Sequence, residues 1–200
     1  MGRTTTRVMT VVAAVVTIVA LLAGCSSTKK EHAAPASCDL STATISTEVP
    51  AAGSSSGVVA TVSRVGAMNE SGTITTVTVG EDGRVDALAD GPKRPHRRGT
   101  LDAASLDRLR QCIDDSGFIA IQEGYRGPTQ GKLGNTFCSI GDAPDVTVVA
   151  TGSSGETRTA TAHALGTRGD SCDFGDPPAL DEVYAALEQI RQVVSDTGTG

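Results

Sequence analysis

Two tight turns constrain this chain more than any other feature in it. Gly152-Ser153-Ser154-Gly155 separates residues 145–151 from residues 156–164, and Gly80-Glu81-Asp82-Gly83 separates residues 73–79 from residues 84–88. Residues 73–79 read Thr-Ile-Thr-Thr-Val-Thr-Val, and Val146 and Val148 alternate with Thr147 and Val149. β-Branched side chains of this kind suit a pleated, half-buried strand. Asp82-Gly83 carries the short-range hairpin signal. Connections this short join antiparallel neighbours only, because a parallel pair needs a crossover of about a dozen residues. Residues 58–65 form another β-prone run, and Phe118-Ile119-Ala120-Ile121 reads as a short apolar strand.

Two helices complete the pattern. In residues 101–117, Leu106, Leu109 and Ile113 recur on one face, while Asp107, Arg108, Arg110 and Asp114 fall elsewhere. Asp102 is placed to accept from the free amides of the first turn, and Gly117 supplies a left-handed stop. The second helix follows Asp176, with Pro177 and Pro178 in its first turn. Leu180, Val183, Tyr184, Leu187, Ile190 and Val194 make its stripe, and it ends near Ser195. The element order is therefore β-β-β-α-β-β-β-α. The expected class is α+β, an antiparallel sheet of about six strands with both amphipathic helices on one face.

Of five cysteines, Cys25 stands apart and Cys38, Cys112, Cys138 and Cys172 remain. An even number reads as two disulfides wherever the compartment is oxidising, with three pairings open. Paired residues of a hairpin keep a constant sum of numbers. Continued outward from the turn at Ser153 and Ser154, Cys138 and Cys172 fall close to that sum. This favours Cys138–Cys172 and leaves Cys38–Cys112. None of the spacings is that of a zinc site or a redox C-x-x-C.

The N-terminus carries an export signal. Arg3 and Arg7 precede an apolar run from Val8 to Ala23, broken only by Thr10 and Thr17. A basic region, an apolar region and small residues at a cleavage point describe a signal peptide. The apolar run, about 16 residues, is short of the roughly 20 that a spanning helix needs. Leu22-Ala23-Gly24-Cys25 resembles the lipobox of bacterial lipoproteins. The resemblance implies diacylglyceryl modification of Cys25 and removal of residues 1–24; an uncleaved span or a free Cys25 is the alternative. The expected organisation is a signal peptide over 1–24, a lipidated flexible tether over 25–56, a globular domain over 57–195 and a disordered tail over 196–200.

Charge narrows the function classes. The chain has 17 basic and 23 acidic residues; without Arg3 and Arg7 the balance is 15 − 23 = −8. Such a body is a poor partner for nucleic acid and for anionic lipid. A local exception is Lys93-Arg94-Pro95-His96-Arg97-Arg98, read as a solvated loop. Lys93, Arg94, His96, Arg97 and Arg98 make it a possible contact patch for headgroups, anionic polymers or an acidic partner. Scarce aromatics argue against a glycan-binding module.

Glu81-Asp82-Gly83-Arg84-Val85, Leu106, Leu109, Ile113, Gly117-Phe118, Tyr125, Asp145-Val146-Thr147-Val148, Pro178, Leu180 and Leu187 together resemble a small domain of exported bacterial proteins. Abundant Ala, Gly and Thr, with Arg preferred to Lys, fit a high-GC genome, and with the lipobox the resemblance implies a bacterial, actinobacterial-type lipoprotein. The first loop departs from that family's pattern, with Gly66-Ala67-Met68-Asn69 in place of a Gly-Gly or cysteine-bearing run. No activity is established for the family, so the resemblance implies a fold alone.

Sites for chemistry are not apparent. Gly53-Ser54-Ser55-Ser56-Gly57 matches the G-x-S-x-G nucleophile elbow in letters but lacks the strand before it and the helix after it. His32, His96 and His163 are far apart, which argues against a metal trio. Asp170, Asp173 and Asp176 lack the spacing of a calcium loop. No phosphate loop, cofactor or catalytic residue is expected. The reading is a membrane-anchored, non-catalytic binding module that contacts another envelope protein or a small ligand. Residues 122–144 and 93–98 are its candidate surfaces, since long loops on a rigid scaffold commonly carry function. The alternatives are a loop-inserting inhibitor of an extracellular hydrolase, or an enzyme with an unrecognised pocket.

Overall fold

The hairpin signals become the centre of a sheet. The computed structural model describes residues 34–47, 57–65, 73–88, 95–141, 143–166 and 172–197. Its strands are β1 (Ile45–Ser46), β2 (Val58–Val65), β3 (Thr73–Gly80), β4 (Arg84–Leu88), β5 (His96–Leu101), β6 (Tyr125–Arg126), β7 (Gly131–Leu133), β8 (Thr136–Cys138), β9 (Asp145–Thr151) and β10 (Thr157–His163). The helices are α1 (Ala103–Asp115) and α2 (Pro178–Thr197). Eight strands form one sheet in the order β1-β5-β4-β3-β2-β9-β10-β6, and β7 and β8 form a separate two-stranded sheet.

The class is α+β, as the periodicity requires, but the sheet is larger than six strands and is mixed. Every neighbouring pair is antiparallel except β10 with β6, which run parallel. Alternation sets the faces. Val146, Val148 and Ala150 on β9, Val77 and Val79 on β3, and Val85 and Ala87 on β4 are buried. They share one core with Leu106, Leu109 and Ile113 of α1 and with Leu180, Val183, Leu187, Ile190 and Val194 of α2. The intervening positions are rich in hydroxyls, which pair across strands: Thr147 with Thr161 and Thr151 with Thr157, each at 2.9 Å.

The first helix starts as its sequence dictates. Asp102 is extended, and its carboxylate accepts from the Ser105 amide at 2.8 Å. Bonds from the Ser105 hydroxyl and then its amide hold this carboxyl below its usual range. The cap is therefore intact above the ordinary aspartate range and is lost as pH falls through the lowered value. Gly117 turns the chain left-handed at φ 80°.

Four boundaries are corrected. Phe118–Ala120 is a 3₁₀ turn, not a strand. It follows directly on Gly117 and buries Phe118 completely; a short apolar run cannot by itself distinguish a strand from a helical turn. The domain begins before residue 57. Ala36–Cys38 forms a 3₁₀ turn, Leu40 is wholly buried, and β1 pairs with β5. The basic run is not all loop, because His96–Leu101 is a full strand between β4 and β1. Helix α2 continues to Thr197, past the expected start of the tail at 196.

The expected lipobox with Cys25, the signal peptide, most of the tether, Lys93, Arg94, the 66–72 loop, His32 and Asp170 lie outside the described residues. Among the described residues no helix is long and apolar enough to cross a membrane.

Candidate functional site

Residues 122–144 are not a plain loop. Gly134-Asn135 is a two-residue turn of hairpin type between Lys132-Leu133 and Thr136-Phe137, and Gly134 takes the left-handed φ of 58° that such a turn asks for. Strands β7 and β8 pair as Gly131↔Cys138, Lys132↔Phe137 and Leu133↔Thr136. Three-residue strands do not hold themselves together in water; their stability has to come from the base.

The base is braced three times. Cys138 is bonded to Cys172, with an S–S distance of 2.00 Å. The Lys132 amide donates to the Asp173 carbonyl at 2.7 Å, and the Asp173 amide donates back at 2.9 Å. Beyond β8, the Ile140 carbonyl lies 2.9 Å from His163 Nε2 on β10. Close approach at this base demands a glycine. A Cβ on Gly131 would stand 2.7 Å from Cys172 Sγ and 2.8 Å from the Asp173 carbonyl oxygen. On the chain's approach to the hairpin, the Tyr125 hydroxyl donates to Asp176 Oδ1 at 2.8 Å.

The hairpin presents apolar surface. Phe137 is 72% exposed and Leu133 54%. A shallow cavity of about 370 Å³ is lined by Lys132, Gly134, Asn135, Thr136 and Phe137. A chain with five aromatics leaves one of them standing in solvent on a braced element. Covering a side chain such as Phe is worth about 1.5–3 kcal/mol, so a partner that seats Phe137 gains directly. Lys132 is the single charged residue of the segment Gly131–Cys138, so the hairpin is locally basic on an acidic chain.

The basic run behaves differently. Strand alternation sends His96 and Arg98 to one face and Arg97 to the other. Both members of the first pair converge on Asp86 of β4: His96 Nδ1 is 2.7 Å from Oδ1, and Arg98 Nε is 3.1 Å from Oδ2. His96, Arg97 and Arg98 therefore do not make one continuous cationic patch, and Asp86 offsets the exposed pair.

A second polar cluster fastens α2 to the sheet. Arg64 Nη2 donates to the Tyr184 hydroxyl at 2.9 Å and lies 3.6 Å from Glu188. Arg191 Nε donates to Glu188 at 2.8 Å, and its Nη1 reaches the Leu88 carbonyl at 3.2 Å. Burial, and next the Glu188 carboxylate, push the Tyr184 phenol above its ordinary value. Every member bonds inward to another, so the cluster works as a clamp between β2, β4 and α2.

The other sequence candidates are placed plainly. Cys38 and Cys112 are bonded at 2.06 Å, the pairing left once Cys138 and Cys172 are matched. Asp173 and Asp176 are drawn into the hairpin base and the Tyr125 contact. Among the described residues no three His, Cys, Asp or Glu side chains converge as a metal site. No family model matches the chain, and neither the curated proteins nor the solved structures contain a match to it.

Proposed function

We propose that this chain is a lipid-anchored cell-envelope protein with no catalytic role, which makes its contact through the β7–β8 hairpin. The observation that carries the reading is Phe137, 72% exposed on an element held by a disulfide and a reciprocal backbone pair. Pre-ordering a contact element lowers the entropy lost on association. Lys132 directly across from Phe137 fits an apolar pocket with an acidic rim. The partner class is an extracytoplasmic envelope protein. The hairpin's rigid base also favours a second reading, insertion into the cleft of an extracellular hydrolase as an inhibitor.

A photo-cross-linking residue placed at position 137 in cells tests the contact. The expected result is a discrete protein adduct, weakened when Leu133→Asp is added. Adducts to lipid only, or none, would sink the hairpin reading; capture of a hydrolase together with loss of its activity would select the inhibitor. The anchor has its own test. Mass spectrometry of membrane-extracted protein is expected to find a chain that begins at Cys25 with a diacylglyceryl adduct. An exported chain with an unmodified Cys25 would remove the anchor and leave the hairpin untouched.

A further inference from the structure

We propose that His163 is a proton-operated latch for the hairpin, closed when its ring is protonated and loosened when it is not. The proposal rests on the reading of the β7–β8 hairpin as the contact element, and concerns its regulation. His163 Nδ1 is 3.0 Å from Asp145 Oδ1, and Nε2 is 2.9 Å from the Ile140 carbonyl oxygen. A carbonyl only accepts, and an ionised carboxylate only accepts. Both ring nitrogens must donate for both bonds to exist, and only the imidazolium has two N–H groups. A neutral ring keeps one. The bond to the carboxylate is the stronger, so the Ile140 contact is the one released, with a lone pair then facing a carbonyl.

The position gives that loss a consequence. Ile140 lies just past Cys138 at the end of β8, and Phe174 lies just past Cys172. The Phe174 ring packs tilted against His163 at 6.3 Å between centroids. One imidazole thus touches the chain on both sides of the disulfide that closes the hairpin. The Ala164 amide, next in sequence, donates to the Pro144 carbonyl at 3.0 Å and holds the far end of the same segment. Charged residues are carried by the elements and segments beside His163. Asp145 is in contact from β9, Arg126 on β6 is aligned with Thr161 two positions before His163, and Asp173 adjoins Phe174. His163 is mostly buried and Asp145 half-exposed, so the pair is reachable by protons but partly shielded from salt.

The sign follows from linkage. The folded form holds the extra proton through two bonds that the unfolded chain lacks. Their contribution is complete below the ordinary histidine range, about pH 6.5, and is lost as pH rises through the titration of His163 in the folded protein. An extracytoplasmic domain meets the pH of its surroundings, so the hairpin would be firmest in acid.

Site-resolved ¹⁵N NMR of the His163 ring, with hydrogen exchange of the Lys132 and Asp173 amides, tests this on the intact extracytoplasmic chain. Two protonated ring nitrogens are expected in acid. Protection of those two amides, corrected for intrinsic exchange, is expected to fall about fivefold as the ring titrates, the factor equivalent to about 1 kcal/mol for one hydrogen bond. His163→Gln should abolish the pH step in the protection of the Lys132 and Asp173 amides. A ring that stays a single neutral tautomer at pH 5, or protection that is flat across the titration, overturns the latch. Either result leaves the cross-link at position 137 as it was, so latch and contact fail separately.

Discussion

Replacing Cys38 and Cys112 together by alanine is expected to lower the unfolding free energy by at least 4 kcal/mol. The bond closes a loop of 74 residues, for which the chain-entropy relation gives about 4.4 kcal/mol at 25 °C. The Cys138–Cys172 loop of 34 residues comes to about 3.8 kcal/mol on the same relation. Entropy alone hardly separates the two, but packing does. Cys112 is wholly buried on α1 and Cys38 nearly so. Truncating them leaves space in the core, and losing buried volume adds to the cost. Cys138 and Cys172 are only partly buried, and they close an element outside the main sheet. Urea denaturation should therefore show Cys38→Ala/Cys112→Ala falling further than Cys138→Ala/Cys172→Ala, with hydrogen exchange in the second variant raised mainly at the hairpin. A domain typically has 5–15 kcal/mol in hand, so the first loss is a large fraction of it. A drop below 1 kcal/mol for the first pair would show that the N-terminal segment is not fastened to the core.

What could be read beforehand follows from where the information lies. Thr151↔Thr157 and His163↔Asp145 close the β9–β10 ladder because both strands alternate about a local turn. The α2 stripe was legible for the same reason, since its signal repeats over twenty residues. Cys138–Cys172 follows once the β9–β10 ladder is drawn, and Cys38–Cys112 is the pair that remains. Strand β5 was hidden, because His96-Arg97-Arg98 looks like a solvated loop until Asp86 opposite is known to receive two of the three. Strands β7 and β8 are too short for any period to show; only Gly134-Asn135 marks them. The exposure of Phe137 could not be read at all, because an aromatic residue carries no mark of whether a neighbour covers it. Leu40 is the least legible of the core residues. One buried leucine among Ser, Thr, Ala and Asp has no periodic partner, so composition placed it in a flexible tether.

Leu40→Ala is accordingly expected to cost about 2–5 kcal/mol, the range for a fully buried leucine, where an exposed tether position would stay within about 0.5 kcal/mol. Leu40 has no exposed surface, and its amide donates to Gln189 Oε1 of α2 at 2.6 Å. Two residues earlier Cys38 is bonded to α1. The short segment thus spans both helices, one end covalent and the other packed and hydrogen-bonded. Further along, Gly99 on β5 makes room for it: a Cβ there would lie 2.5 Å from Ile45 Cγ2. Residues joined through one segment do not contribute independently. With the Cys38–Cys112 bond removed, the segment can leave the core at the cost of its own contacts. Leu40→Ala should then cost clearly less than in the disulfide-intact protein. Urea titrations of the single, double and triple variants measure that coupling directly. Equal costs in the two backgrounds would mean that Leu40 is held by the helices alone, and that the disulfide does no more than shorten the unfolded chain.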